Sequence, residues 1–229
     1  MPGPLRTAAR PLARAAGLLY LAIIALGLWS ELGVRARLIV PGDDAATAAN
    51  LLASQGLFAL SLAADTVMAM ADIALAIVLA ALFWTVAPVL AAMAAAFRLI
   101  QAATIAAALV AYHGALLILQ QGGPGAAGAA GIALALHGDG YDLGLAFFGV
   151  NSLLTGWLVI RSRLLPRLIG VGVAAAGLVY LAGSAAVFLA PDLVPVITPA
   201  YGVPILAESD MALGLLLLGL RRPTAPHPA

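Results

Sequence analysis

The sequence predicts an all-α, polytopic integral membrane protein, a bundle of six transmembrane helices with both chain ends in the cytoplasm. Of its 229 residues, 64% are hydrophobic and only 9% are charged. Six apolar runs are long enough to cross a bilayer as helices, which takes about 20 residues each. Arginines are concentrated in alternate connections between these runs. Such a chain has lipid as its solvent, because no single water-excluding core accounts for so much apolar surface.

The six predicted spans follow one another with short connections. The first, residues 15–34, follows a basic segment (residues 1–14) and ends in Glu31 without a small-residue cleavage site, so we predict an uncleaved signal anchor. The other spans are residues 58–84, 86–119, 141–160, 165–190 and 201–220. The third exceeds the thickness of the hydrocarbon, and its ends are the least defined. We expect one transmembrane domain, residues 15–220, followed by a disordered cytoplasmic tail, residues 221–229.

The distribution of arginine predicts the orientation, because cytoplasmic connections collect basic residues. With the N-terminus inside, the inner segments carry eight arginines: Arg6, Arg10, Arg14, Arg161, Arg163, Arg167, Arg221 and Arg222. The outer loops carry only Arg35 and Arg37. Every basic residue is arginine, and the chain is rich in alanine, which indicates a GC-rich bacterial genome. We therefore predict a multi-pass protein of the bacterial cytoplasmic membrane.

The predicted outer loops differ in composition. The first, residues 35–57, contains a Pro-Gly-Asp-Asp turn signal and a short helix that Asp44 would cap. The second, residues 122–131, is glycine-rich and predicted to be flexible. The third carries a series of prolines and is predicted to form irregular turns.

Part of the first span recurs in the fifth. Residues 15–22 read AAGLLYLA and residues 175–182 read AAGLVYLA, which differ at one position. The repeat indicates either two parallel copies of a hairpin, as many transporters contain, or chance similarity in a chain rich in Ala, Leu and Gly.

Ionisable groups within the spans give the strongest functional signal. A carboxylate at the bilayer centre costs about 2.5 to 3.5 kcal/mol on insertion scales, so several of them must face one another or a hydrated cavity. Asp65 and Asp72 lie two helical turns apart, and Arg98 and Gln101 share a face of the third span. We predict a polar pocket that opens outward, with these candidate binding residues: Glu31, Arg35, Asp65, Asp72, Arg98, Gln101, His137, Tyr141, Asp142 and Glu208.

Charge limits what such a pocket can bind. Six carboxylates face one arginine within the predicted spans, so the surplus must be protonated or balanced by a bound cation. This favours protons, metal ions or an organic cation over an anion. Structural interpretations stay open: Arg98 can form an ion pair with Asp65 or Asp72 that fixes helix packing, and Glu31 and Asp142 can lie at the aqueous interface, with His137 in a loop.

Several segments resemble a bacterial membrane-protein family known as domain of unknown function 4386. The resemblance covers residues 15–220 and rests on the segments GLLY (17–20), ELGVR (31–35), LIVPGD (38–43), AAFRLIQ (95–101), HGDGYDLGL (137–145), FFG (147–149) and LPRLIG (165–170). It implies a polytopic membrane protein and carries no activity. The motif positions include Glu31, Arg35, Asp65, Arg98, Gln101, His137, Tyr141, Asp142 and Glu208, whereas Asp139 and Asp210 depart from the pattern.

Three functions remain open from the sequence. The first is binding or transport of a small cation or proton in the acidic pocket, in a protein small enough that a homo-oligomer is expected. The second is an intramembrane enzyme or metal-binding protein that uses His137, Tyr141 and Asp142. The third is a structural or partner-binding membrane subunit. Cysteine-based chemistry is excluded because the chain has no cysteine, and a net charge of +1 excludes a nucleic-acid partner. No common hydrolase or nucleotide-binding motif occurs, and the cofactor, metal and substrate are left undefined.

Overall fold

The chain is a bundle of long helices, in a computed structural model that describes the backbone of residues 4–220 and the side chains of residues 10–218. Within these residues the regular structure is entirely helical. The α-helices are α1 (Pro4–Leu28), α2 (Ala36–Leu38), α3 (Asp44–Ala53), α4 (Gln55–Phe83), α5 (Pro88–Gln121), α6 (Ala126–Ser162), α7 (Arg167–Leu189), α8 (Val194–Ile197) and α9 (Gly202–Leu220). A π-helical segment, Trp29–Arg35, joins α1 to α2, and 3₁₀ turns flank α8.

Six helical segments are long and apolar enough to cross a membrane, which confirms the predicted number of spans. They are Arg10–Leu38, Gln55–Phe83, Pro88–Gln121, Ala126–Ser162, Arg167–Leu189 and Pro191–Leu218. Helices satisfy their own backbone hydrogen bonds, which lipid cannot do for them. Large apolar side chains such as Val110, Leu168 and Leu189 lie exposed on the outside of the bundle. The protein is therefore a multi-pass membrane protein.

The six long helices form a closed ring. In chain order each packs on the next, α1 on α4, α4 on α5, α5 on α6, α6 on α7 and α7 on α9, and α9 returns to pack on α1. A ring of this kind places one face of every span toward a common centre.

Small residues bring neighbouring helices close together. A Cβ atom added to Gly156 in α6 would lie 2.5 Å from the carbonyl oxygen of Gly170 in α7, and one added to Gly17 in α1 would lie 2.6 Å from the backbone nitrogen of Leu216 in α9. Close backbone approach through glycine is typical of helix packing in membranes.

Two apolar clusters occupy the two ends of the bundle. The first surrounds Tyr20, Phe83 and Leu215, near the end of the ring where Arg14, Arg161 and Arg167 lie, which we call the arginine-rich end. The second surrounds Val34, Phe58 and Tyr112, toward the other end, which we call the far end. The polar side chains of the spans lie mainly between these clusters.

Several predicted boundaries are wrong in the structure. The first span continues beyond Val34 through the π-helical segment to Leu38, so that Arg35 is a buried residue of the span rather than a loop residue. Helix α6 begins at Ala126, which makes most of the predicted flexible loop, residues 122–131, helical. The side chain of Asp43, rather than Asp44, caps α3 by accepting a hydrogen bond from the amide of Ala46. The predicted tail, residues 221–229, lies outside the described residues.

Candidate functional site

A buried ion pair between α4 and α5 lies at the centre of the ring. Nε of Arg98 donates to Oδ1 of Asp72 at 2.8 Å, and Nη2 lies 2.6 Å from the same oxygen. The amide of Gln101, one turn after Arg98, donates to Oδ2 of Asp72 at 3.2 Å. Both charged side chains are at most 4% exposed. The sequence left Asp65 and Asp72 open as partners of Arg98, and in the structure the partner is Asp72.

Aromatic rings on two other helices surround the Arg98 guanidinium. Nη1 donates to the hydroxyl of Tyr20 in α1 at 3.2 Å. The guanidinium carbon lies 4.9 Å from the ring centroids of both Tyr20 and Phe148, the latter in α6. Cation–π contacts of this kind stabilise a desolvated cation, so four helices hold this one charge.

A second buried arginine pairs with the carboxylates nearer the far end. Arg35 donates from Nε to Glu31 at 2.7 Å and from Nη1 to Asp65 in α4 at 2.5 Å. Asp65 is buried and its Oδ1 has no hydrogen-bond partner, whereas the side chain of Glu31 is 61% exposed. Arg35 therefore neutralises part of the surplus of carboxylates. From the sequence, only one arginine, Arg98, was counted within the spans.

A third carboxylate, Glu208 in α9, has a different partner. The hydroxyl of Tyr180 in α7 donates to Oε1 of Glu208 at 2.6 Å. Within the part of the chain with described side chains, no arginine nitrogen lies within 4.0 Å of this carboxylate. Glu208 is nevertheless buried, at 9% exposure. Among the described side chains its hydrogen-bond partner is thus a hydroxyl, and Arg98 lies at longer range.

These groups line a central cavity of about 260 Å³ to which all six spans contribute. The polar lining consists of Glu31, Asp72, Arg98, Gln101, Tyr141, Tyr180, Tyr201 and Glu208, and the apolar lining of Ile23, Ile24, Gly27, Leu28, Met68, Ile105, Leu145, Phe148, Pro204 and Ile205. The volume is slightly below the range of about 300 to 1,000 Å³ that is typical of small-molecule sites. A mostly apolar wall with a few convergent polar groups is likewise typical of such sites.

The exposed part of the cavity wall comes from two neighbouring helical segments. Leu28 and Glu31 of the first span and Ile205 of α9 are exposed, and the remaining lining residues are buried or partly buried. Near the arginine-rich end the same two spans are in close contact, at Gly17 and Leu216. The cavity therefore has its mouth where α1 and α9 separate toward the far end, and its base at Arg98 and Asp72.

A second cavity lies on the other side of Arg98. Its volume is about 10 Å³, and its walls include Arg98, Asn151, Thr155 and apolar residues of α4 and α5. That volume is about what one water molecule needs. Because Arg98 lines both cavities, its side chain and the Asp72 that holds it separate them.

The predicted site residues fall into two groups. Six of them line the central cavity: Glu31, Asp72, Arg98, Gln101, Tyr141 and Glu208. The others, Arg35, Asp65, His137 and Asp142, do not line it.

His137 lies within α6 rather than in a loop. Its Nδ1 lies 3.3 Å from the carbonyl oxygen of Ala108, and its ring centroid lies 6.3 Å from that of Tyr141. Asp142 is only partly buried, and Ser184 bonds to its backbone rather than to its carboxylate. In the part of the chain that the structure describes, no group of three or more His, Cys, Asp or Glu side chains is placed to hold a metal.

Three further tyrosines complete the site and were not predicted from the sequence. Tyr20 contacts Arg98, Tyr180 contacts Glu208, and Tyr201 lines the cavity. Tyr20 and Tyr180 occupy equivalent positions of the internal repeat, which was the available signal. Both point toward a charged group near the centre of the ring.

A known protein family matches this chain. The family described as "Domain of unknown function (DUF4386)" matches residues 15–219, nearly the whole transmembrane region. The chain belongs to this family. Compared with curated proteins and with solved structures, it shows no significant similarity. The family assignment confirms the resemblance noted in the sequence and specifies no chemistry, so any functional inference rests on the site itself.

Proposed function

We propose that this DUF4386 protein binds a small cation in its central cavity and carries it across a bacterial cytoplasmic membrane. The N- and C-termini would be cytoplasmic, as the arginines indicate, which makes the far end and the mouth of the cavity outward-facing. The observation that carries the proposal is Glu208, a buried carboxylate in the cavity wall whose nearest cationic group is already paired with Asp72.

The charge balance of the cavity supports a positively charged ligand. Asp72 is matched by Arg98, and Glu31 shares Arg35 with Asp65, which lies outside the cavity wall. Among the side chains that the structure describes, only the hydroxyl of Tyr180 forms a hydrogen bond with Glu208. A buried carboxylate without a charge partner is costly in a low-dielectric environment, and either a proton or a bound cation removes that cost.

The position of the site supports transport rather than binding alone. All six spans meet at the cavity, and a small second cavity continues beyond Arg98 toward the arginine-rich end. Transporters commonly place their substrate site near the membrane midplane, between structural repeats. The matching segments in α1 and α7 lie on either side of α9, which carries Glu208.

Replacement of Glu208 tests the proposal. Purified protein in liposomes is assayed with monovalent cations, protons and small ammonium ions, for gradient-driven flux and for changes in thermal stability. We expect at least one cation to give a signal in the wild type, reduced at least 10-fold in Glu208→Gln, which keeps the shape of the side chain but loses its charge. Asp210→Asn is the matched control, since Asp210 lies two residues away on the exposed side of α9.

Two results would count against cation binding. One is wild-type protein with neither flux nor a stability change for any of these ions. The other is equal loss in Glu208→Gln and Asp210→Asn, which would indicate a general effect of removing charge from α9. Should Glu208→Gln fail to fold, Glu208→Asp retains the charge and is expected to retain binding with altered affinity.

A further inference from the structure

The aromatic composition of the cavity narrows the class of cation. Tyr141, Tyr180 and Tyr201 line the cavity together with Phe148. The rings of Tyr180 and Tyr201 meet edge to face with centroids 5.9 Å apart, and those of Phe148 and Tyr180 lie 5.1 Å apart. Phe148 of α6, Tyr180 of α7 and Tyr201, which ends the 3₁₀ turn before α9, thus form a row of neighbouring rings in the cavity that Glu208 also lines.

We propose that the ligand is an organic ammonium ion with an apolar substituent, held by the Glu208 carboxylate and the tyrosine rings. This inference rests on the proposed function and specifies its substrate class. Aromatic faces attract ammonium groups, and a carboxylate beside them supplies the counter-charge. The hydroxyl of Tyr180 holds Oε1 of Glu208 through a 2.6 Å hydrogen bond, and within the described residues no hydrogen bond reaches Oε2, which would bind the ligand.

The cavity is poorly suited to a bare Mg²⁺ or Ca²⁺ ion. Hard cations take several oxygen ligands in a closed shell, about six for Mg²⁺ and six to eight for Ca²⁺. Here both oxygens of Asp72 already accept hydrogen bonds, and Oε1 of Glu208 accepts one from Tyr180. The apolar lining, including Ile23, Ile105 and Leu145, would contact the ligand's substituent.

The mouth of the cavity fits the same class of ligand. Its exposed residues are two large apolar side chains, Leu28 and Ile205, and one carboxylate, Glu31. All three belong to membrane-spanning segments, Leu28 and Glu31 to the first span and Ile205 to the last. An amphiphilic ammonium ion can pass such a mouth with its apolar part against Leu28 and Ile205 and its charge toward Glu31.

A pair of probes of equal size separates the contribution of charge from that of apolar contact. Benzylammonium and benzyl alcohol carry the same ring, but only the first is charged at neutral pH. Binding is measured by calorimetry on the full chain in lipid nanodiscs. We expect benzylammonium to bind the wild type at least 10-fold more tightly than benzyl alcohol.

Variants of Tyr201 test the aromatic contribution, because its hydroxyl forms no hydrogen bond with the part of the chain that the structure describes. Tyr201→Phe keeps the ring and is expected to bind benzylammonium within about 2-fold of wild type. Tyr201→Leu removes the ring and is expected to weaken benzylammonium about 2- to 30-fold, the range of a cation–π contact, with little change for benzyl alcohol. Phe188→Leu, at an exposed position of α7 outside the cavity, is the matched control.

The outcomes distinguish this inference from the proposed function. If sodium, potassium or protons give a Glu208-dependent signal and benzylammonium gives none, the ammonium assignment is wrong and cation binding stands. If no cation binds, both are wrong. Equal affinity for the two probes, or equal loss in Tyr201→Phe and Tyr201→Leu, also overturns the assignment. Should Tyr201→Leu fail to fold, the probe pair on the wild type and on Tyr201→Phe still decides it.

Discussion

Removal of the Asp72 charge should destabilise the protein far more than removal of the Glu31 charge. Asp72 is the carboxylate partner of Arg98, and both side chains are at most 4% exposed. In Asp72→Asn the guanidinium would remain buried with only neutral acceptors in direct contact. Loss of one partner of a buried ion pair typically costs about 3 to 5 kcal/mol. We expect Asp72→Asn to lower the free energy of unfolding by that amount.

Glu31→Gln is the matched comparison within the same cavity wall. Its side chain is 61% exposed, and Arg35 keeps its second carboxylate, Asp65, at 2.5 Å. Exposed ion pairs contribute between about 0 and 1 kcal/mol. The expected loss for Glu31→Gln is therefore at most about 1 kcal/mol, although its net charge change equals that of Asp72→Asn.

Unfolding in mixed micelles with increasing denaturing detergent, followed by circular dichroism, measures both losses. A double-mutant cycle with Arg98→Gln then isolates the pairwise energy. We expect Asp72→Asn with Arg98→Gln to lose less stability than the sum of the single variants, because no uncompensated charge is left. Equal losses for Asp72→Asn and Glu31→Gln, or strict additivity in the cycle, would refute the reasoning.

Two further variants test the packing of the ring in the same unfolding assay. Gly156→Ala should lower the free energy of unfolding by about 1 to 3 kcal/mol through overpacking, because the added Cβ would lie 2.5 Å from the carbonyl oxygen of Gly170. Gly114→Ala is the control and should be neutral or slightly stabilising, because its added Cβ would have nothing within 4 Å. Equal effects of the two substitutions would contradict the close contact between α6 and α7. Tyr112→Phe should lose about 1 kcal/mol because it removes the 2.9 Å hydrogen bond to Ser61, and wild-type stability in this variant would contradict that bond.

The number of spans was predictable because hydropathy is a local property. Each run of about 20 apolar residues must cross the bilayer whatever its neighbours are. The pairing of Arg98 was predictable as far as a choice between Asp65 and Asp72, since both lie on one face of α4. What selects Asp72 is the relative depth of α4 and α5, which depends on packing between helices and is invisible in either segment alone.

Arg35 was misplaced for a related reason. A span is expected to end where charges begin, and Glu31 and Arg35 marked that point. In the structure the two side chains neutralise each other across one turn of the π-helical segment, and Asp65 completes the set. A charge that is paired inside the bundle ceases to signal a membrane boundary. The spacing of four residues between Glu31 and Arg35 was the available clue.

The closure of the ring could not be predicted from the sequence. No hydropathy pattern states that α9 returns to α1, and the mouth of the cavity depends on where these two helices meet and separate. Gly17, in contact with the backbone at Leu216, marks the meeting point. The chain has 24 glycines, so Gly17 could not be recognised from the sequence as a helix contact.

The Arg98–Asp72 pair bears on both the structural and the transport interpretation, since one side chain separates the two cavities. An energy of about 3 to 5 kcal/mol corresponds to a factor between about one hundred and several thousand in population. If opening the pair in the folded protein costs a similar free energy, a state with the pair open would be rare without ligand, as a barrier requires. A ligand shifts this equilibrium only if it interacts differently with the two states. A cation beside Glu208 meets that condition, because its charge acts directly on the nearby guanidinium of Arg98. Loss of stability is therefore expected whether the Arg98–Asp72 pair only fixes helix packing or also blocks passage between the two cavities. Ion flux that depends on Glu208, in a protein whose Arg98–Asp72 pair is unaltered, would favour the second role.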